Sequence, residues 1–341
     1  MTEANELSHA ADHAASVETL REHDRFYVPV SLSEDTSVAL RQYYLGLSQT
    51  PTLSKPQSIE ESDAIVCFVE QMQTPLSDQL LSTLSATVDE DTVGGVSVLR
   101  IKPKICDNSL APLVYVHGGG WVLGSARSTA GTPALIGNAT KREVISIDYT
   151  LAPRANFETV TDEVLSVWNA LIVDGRDTAT IGLLGDSAGG NIILSSTLKM
   201  RDQGVALPGA LWVLSPPTDL TFSGETMYTV GTLDPALGVE QMPWLREAYV
   251  AEGDPRNPYA SPLYGDFTQP FPPTLIQGGT RELLLSDFVR QYQAIRSGGH
   301  EAILDLYEGM PHVFQVFLAA TWEGRTAIDR AAAFFNSHLA I

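Results

Sequence analysis

The sequence predicts an α/β fold: a mostly parallel central sheet flanked by helices, with a mainly helical cap. From about residue 93 onward, short apolar runs alternate with longer segments of helical period, the pattern of strands joined by crossover helices. Most of these runs are apolar throughout, as strands covered on both faces require. The chain has 341 residues, 44% of them hydrophobic, so it can build the core that such a sheet needs. There is no internal repeat and no low-complexity block to suggest another architecture.

The elements follow in order. Residues 1–55 are polar with a loose helical period, anchored by Leu20, Val28, Leu40, Tyr44 and Leu47, and are read as N-terminal cap helices. Ser58, with Glu61 three residues later, resembles a helix start; helical patterning then runs to about Leu84, with an interruption expected near Pro75. Residues 95–101 alternate like a half-buried strand. Residues 113–116, 143–149, 180–184, 210–214, 274–276 and 302–307 read as further strands. Helices are expected over 157–173 and 188–200, after the loop that follows the strand at 274–276 to about 296, and over 322–338. One stretch breaks the alternation: residues 216–272 are proline-rich and carry Trp244, Tyr249, Tyr259 and Phe267. A long insertion between two core strands is a candidate cap. The expected division is therefore cap helices over 1–55, core over 56–215, cap insertion over 216–272 and core again over 273–341.

The formal net charge of −20 argues against nucleic acid or an anionic membrane as partner, since both call for basic patches. No apolar run approaches the ~20 residues of a spanning helix, so membrane insertion is not expected. The N-terminal stretch has neither a basic n-region nor an apolar h-region, and a cytoplasmic protein is the expectation. Cys67 and Cys106 lack disulfide-framework or metal-ligand spacing and read as ordinary thiols.

The chemistry is carried by short motifs. Gly185-Asp186-Ser187-Ala188-Gly189 fits G-x-S-x-G between a strand and a helix, the context in which a serine is exposed on a sharp turn as a nucleophile. The glycines let the chain turn without a side-chain collision, and the helix start aims N–H groups and a positive dipole at the reacting centre. Upstream, His117-Gly118-Gly119-Gly120-Trp121 ends another strand. Its glycine N–H groups, with that of Ala188, are candidates for an oxyanion hole; Gly119 and Gly120 are favoured as donors and Gly118 as the residue that shapes the loop. His117, fixed inside that loop, reads as structural. Trp121 either lines the acyl pocket or packs, and Asp186 is placed beside the substrate pocket.

Triads built on this motif run serine, acid, histidine along the chain. Of seven histidines, His300, His312 and His338 follow Ser187. His312 lies just past the strand at 302–307, at its carboxyl end, where functional loops of such sheets gather; His300 precedes that strand and His338 lies in the last helix. The acid should follow the strand at 274–276. Glu282 sits in the loop directly after it, and Asp287, five residues on, is the reserve.

Taken together, His117 to Trp121 (HGGGW), Asp148-Tyr149 with Leu151-Ala152-Pro153, Gly185 to Gly190 (GDSAGG) with Asn191, and Gly309 to Phe314 (GMPHVF) resemble the hormone-sensitive-lipase-like esterases, the bacterial family IV enzymes of the α/β-hydrolase fold. The resemblance spans from about Val93 to the C-terminus. It implies a carboxylic ester hydrolase acting on short- to medium-chain acyl esters, a two-part cap, no metal and no cofactor, and homodimers as a frequent state. The family usually has arginine after Asp-Tyr and glutamate after Leu-Ala-Pro; Thr150 and Arg154 stand there instead, so a usual ion pair is absent or swapped. The acid motif is the glutamate variant, Glu282-Leu283-Leu284, and the N-terminal region diverges, which puts acyl-length preference in doubt. The triad does not specify the leaving group: amide, lactone or carbamate hydrolysis and acyl transfer use the same residues. A non-catalytic binder on this scaffold, as in plant gibberellin receptors, has lost the histidine that is present here.

Overall fold

The computed structural model describes residues 25–50 and 53–339. The apolar anchor Leu20 lies outside the described residues. Eight strands form one sheet: β1 (Thr87–Val93), β2 (Val96–Lys102), β3 (Leu113–Val116), β4 (Val144–Ile147), β5 (Gly182–Asp186), β6 (Ala210–Leu214), β7 (Thr274–Gly279) and β8 (Ala302–Tyr307). Their order is β1-β2-β4-β3-β5-β6-β7-β8. The first two are antiparallel to their neighbours, and from β4 to β8 every pairing is parallel.

Alternate residues of each central strand serve two cores, because successive side chains leave a strand on opposite faces. Val114 and Val116 join one cluster with Leu183, Val213 and Ile276. Under it lie helices α4 (Phe157–Val173), α5 (Ala188–Asp202) and α8 (Leu285–Ser297). Leu113 and Tyr115 join the opposite cluster with Leu184, Trp212 and Leu275, covered by α3 (Gly131–Thr140) and α9 (Trp322–His338). Burial on both faces explains why these strands are mostly apolar.

Two local expectations are corrected. Strand β1 was not anticipated: its Asp89, Glu90 and Asp91 disguise it, yet it is an edge strand, where charge is tolerated and discourages edge-to-edge pairing. Gly94 and Gly95, at φ +60 and +82°, close its hairpin to β2. Helix α2 (Ile59–Leu84) runs unbroken through Pro75, which is exposed, so water can solvate the carbonyl left without an amide partner. Ser58 caps this helix through the Glu61 N–H at 3.2 Å.

The segment between β6 and β7 contains α6 (Thr226–Thr229) and α7 (Met242–Val250) and folds over the carboxyl ends of the strands. Helix α1 (Glu34–Gln49) buries Leu40 and Tyr44 against Tyr307, Met310, Phe314 and Leu318. The N-terminal segment thereby braces the loop after β8. Among the described residues, no helix is long and apolar enough to cross a membrane.

Candidate active site

The turn from β5 into α5 places Ser187 at φ +50°, ψ −123°, a conformation that L-residues avoid. It is held because its surroundings allow nothing else. The Ser187 N–H donates to Leu214 O at 2.7 Å. A Cβ on Gly185 would stand 2.5 Å from the Gly189 carbonyl carbon, and one on Gly189 would collide with the Val116 carbonyl. Both glycines are therefore required by close backbone approach. The strain is not confined to the serine: Trp121, Ser215 and Val313 also have positive φ, at 66, 49 and 52°. Such backbone recurs where structure over-determines a functional geometry.

His312 Nε2 lies 2.8 Å from Ser187 Oγ, and His312 Nδ1 lies 2.7 Å from Glu282 Oε2. A carboxylate only accepts, so Nδ1 carries the proton and Nε2 is bare toward the serine hydroxyl. Burial pulls the His312 pKa down, but the hydrogen bond and charge of Glu282, helped by Asp234 and Asp186, outweigh it, and the net shift is upward. Glu282 is fully buried. Its other oxygen accepts from Ser215 Oγ at 2.8 Å and from the Gly279 N–H at 2.6 Å. The other two late histidines are elsewhere: His300 Nε2 meets Gln269 O at 2.7 Å and His338 Nε2 meets Glu301 at 3.2 Å.

Asp287, the reserve acid, does not approach His312. Its Oδ2 accepts from the Thr218 and Asp219 N–H groups at 2.8 and 3.1 Å, pinning the loop after β6. Burial pushes its pKa up to about 7 against those hydrogen bonds.

The N–H groups of Gly119, Gly120 and Ala188 have no acceptor among the described residues. Gly118 is different. Any side chain there would strike the Asp186 carboxylate and come within 3.1 Å of Ser187 Cβ, so its glycine lets the two loops meet. Gly119 (φ +113°) and Gly120 (φ +60°) provide the curl that follows, closed by Leu123 N–H to Gly119 O at 3.0 Å. Leu245 of α7 sits over Gly120, 3.0 Å from where its Cβ would be.

Trp121 and Asp186, expected at the substrate pocket, each meet a protein partner. The Trp121 ring is stacked on Tyr249 of α7, centroids 4.7 Å apart and 13° between planes. Asp186 accepts from the Tyr115 hydroxyl, and burial raises its pKa despite the Tyr115 and Gly118 hydrogen bonds. His117 is structural as read: it stacks on Tyr149 at 4.2 Å, donates through Nδ1 to Gly118 O at 2.7 Å, and burial lowers its pKa. Thr150 holds Glu163 through its N–H and hydroxyl at 2.8 and 2.6 Å, and Arg154 pairs with Asp63 of α2 at 2.6 Å, so the expected ion pair is swapped for another, exposed one.

Sequence reasoning missed Ser215, which donates to Glu282 and accepts the Val313 N–H at 3.1 Å, joining the loops that carry Glu282 and His312. Its position at the carboxyl end of β6 was the available signal. It also missed Asp234, whose contacts cross from the 215–273 segment and leave no mark in the local sequence. Among the described residues, no group of three or more His, Cys, Asp or Glu side chains is arranged to hold a metal ion. The geometry supplies a hydroxyl donating to a bare imidazole nitrogen, an imidazole oriented by a buried carboxylate, and free N–H groups at a helix start. That arrangement can move a proton from an attacking oxygen while the opposing charge is held.

The sequence profile of the alpha/beta hydrolase fold matches residues 113–316. An acetyl-hydrolase of Streptomyces hygroscopicus is 31% identical over 249 residues, covering 73% of this chain and 82% of that protein. An esterase of Acinetobacter venetianus is 31% identical over 246 residues, covering 72% and 80%. Among solved structures, an esterase from the bacterial hormone-sensitive lipase family superposes with a TM-score of 0.80 at 28% identity, over 91% of this chain and all (100%) of that one. Esterase E25 does so with a TM-score of 0.82 at 28% identity, over 92% and 96%.

Proposed function

The chain belongs to the alpha/beta hydrolase family, among the carboxylic ester hydrolases related to hormone-sensitive lipase, and from that premise we propose that it hydrolyses short- to medium-chain acyl esters through Ser187, His312 and Glu282. The observation that carries this reading is the unbroken chain Ser187 Oγ–His312–Glu282, at 2.8 and 2.7 Å. Ser187 Oγ attacks the ester carbonyl as its proton passes to His312 Nε2. Glu282 stabilises the resulting imidazolium. The carbonyl oxygen, now negative, is held by the Gly119, Gly120 and Ala188 N–H groups, each such donor contributing roughly 3–4 kcal/mol in the transition state. His312 returns the proton to the departing alcohol, leaving an acyl-enzyme. Water then gives a proton to His312 and attacks the acyl carbon, and Ser187 recovers its proton as the acid leaves. The chain's own residues supply the nucleophile, the base and the donors, so the reaction as written calls for no cofactor.

The acetyl-hydrolase among the relatives favours the short end of the chain-length range. So does Leu245, which narrows the space above Gly120. Residues 216–272, joined by the N-terminal segment, form the cap in this reading. We place the enzyme in the cytoplasm, with the β8 edge, where Ile303 is 42% exposed, as the face for a homodimer. The test is hydrolysis of p-nitrophenyl esters from acetate to palmitate by wild type and Ser187→Ala. A fast wild type with a short-chain optimum and a folded mutant slower by roughly 10³ or more support the proposal. A folded wild type inert to every chain length would overturn it.

A further inference from the structure

The triad acid is gripped from both sides by the segment between β6 and β7. Asp234 of that segment is fully buried, and its Oδ2 accepts from the N–H of Leu283, the residue after Glu282, at 2.9 Å. Its Oδ1 accepts from Ala236 and Leu237 N–H at 2.8 and 2.9 Å, which closes the turn that presents it. Arg281, the residue before Glu282, donates to Leu233 O and to Arg25 O, both at 3.2 Å. Arg25 in turn donates through Nε to Asp234 O at 3.0 Å. Thr226 of α6 accepts from Ser286 N–H at 2.9 Å and donates to Leu283 O at 2.8 Å. Arg281 N–H also reaches Met310 O at 3.2 Å, so the same loop is tied to the base loop.

We propose that Asp234 is a positioning residue for the reaction: it fixes the backbone of Glu282 to the 215–273 segment and adds its charge to the field on His312. The inference rests on the reading of Glu282 and His312 as acid and base. A rigid supporting shell is what keeps a catalytic group within fractions of an ångström of its working place. The charged and titratable groups facing Asp234 are Glu282 and Arg281 of the acid loop, His312 of the base loop, Arg25, and Tyr43 and Tyr44 of α1. Burial pushes the Asp234 pKa up to about 6, against the Leu237 and Leu283 N–H groups and the His312 charge. At neutral pH the ionised form prevails, and it favours the imidazolium.

Asp234→Asn tests this. Asparagine has one accepting oxygen, so either the Leu283 N–H or the 236–237 pair faces an NH2 group. The expected result with p-nitrophenyl butyrate is a kcat lower by roughly tenfold to a hundredfold, a KM within about twofold, and an acid limb of kcat/KM moved to lower pH. A purely structural role would lower Tm and leave kcat and the limb in place, and that result overturns the proposal, as does a change confined to KM. If Asp234→Asn does not fold, Arg281→Gln decides: it loosens the other side of Glu282 while keeping the Asp234 charge, and should lower kcat with no movement of the limb to lower pH. A wild-type kcat there is again fatal. An active Ser187→Ala would instead bring down the triad reading itself, so the two failures are distinguishable.

Discussion

Replacing Glu282 by glutamine is the sharpest perturbation of the site, because the structure dictates how the new side chain must sit. Oε1 of Glu282 accepts two hydrogen bonds, from Ser215 Oγ and from the Gly279 N–H at 2.8 and 2.6 Å. A glutamine satisfies both only with its carbonyl oxygen in that place, which turns its NH2 toward His312 Nδ1. The imidazole then accepts at Nδ1 and carries its proton on Nε2, where it cannot take one from Ser187. The charge is lost as well. Unit charges about 4 Å apart attract by roughly 4 kcal/mol at an effective dielectric near 20. At ~1.36 kcal/mol per decade this corresponds to about 10³ in rate, with little relief from solvent because Glu282 is fully buried. The expected kcat of Glu282→Gln on p-nitrophenyl butyrate is therefore lower by about 10³ or more, with KM little changed and the fold intact by circular dichroism. A folded variant within about tenfold of wild type would refute the reasoning, since neither the tautomer nor the charge would then matter.

Two further outcomes follow from the same geometry. His312 acts as a base only when neutral and its pKa is raised, so wild-type kcat/KM should decline as pH falls through a value above the ordinary ~6.5 of histidine; a pH–rate profile flat down to pH 5 contradicts this. Asp287→Asn should retain wild-type activity, because one amide oxygen can accept both the Thr218 and Asp219 N–H groups. The Asp287 pKa is raised to about 7 in the folded state, so the stability it contributes is present at low pH and lost as pH rises through that value. The variant should accordingly lose less Tm than wild type between pH 5 and 8, and an inactive, folded Asp287→Asn would revive it as the acid.

Several features of the site were legible in the residues, and for a local reason. Ser187, Glu282 and His312 each lie just past the carboxyl end of a strand, and each turn is written in its own few residues: Gly185 and Gly189 around the serine, Gly278-Gly279 before Glu282, Gly309 before His312. The parallel strands then bring these ends together whatever lies between them, because register in a two-sided sheet is set by burial. The two cores were readable from apolar runs for the same reason. Where a charge overrode the pattern, as at Asp89 to Asp91 in β1, or a local rule was relieved by solvent, as at Pro75 in α2, the sequence misled.

What the sequence alone determined about this protein is its fold class, the strand ends that matter and the side chains presented there. The tertiary structure sets Glu282 and Asp287 apart: both are carboxylates within one loop and helix start, and the fold turns one toward His312 and the other toward Thr218 and Asp219. It also turned Trp121 inward onto Tyr249, drew Ser215 between the acid and base loops, and set Asp234 against Leu283. Each of these contacts joins residues far apart in the chain. Most of them depend on how the 215–273 segment packs on the sheet, and no local propensity encodes that packing.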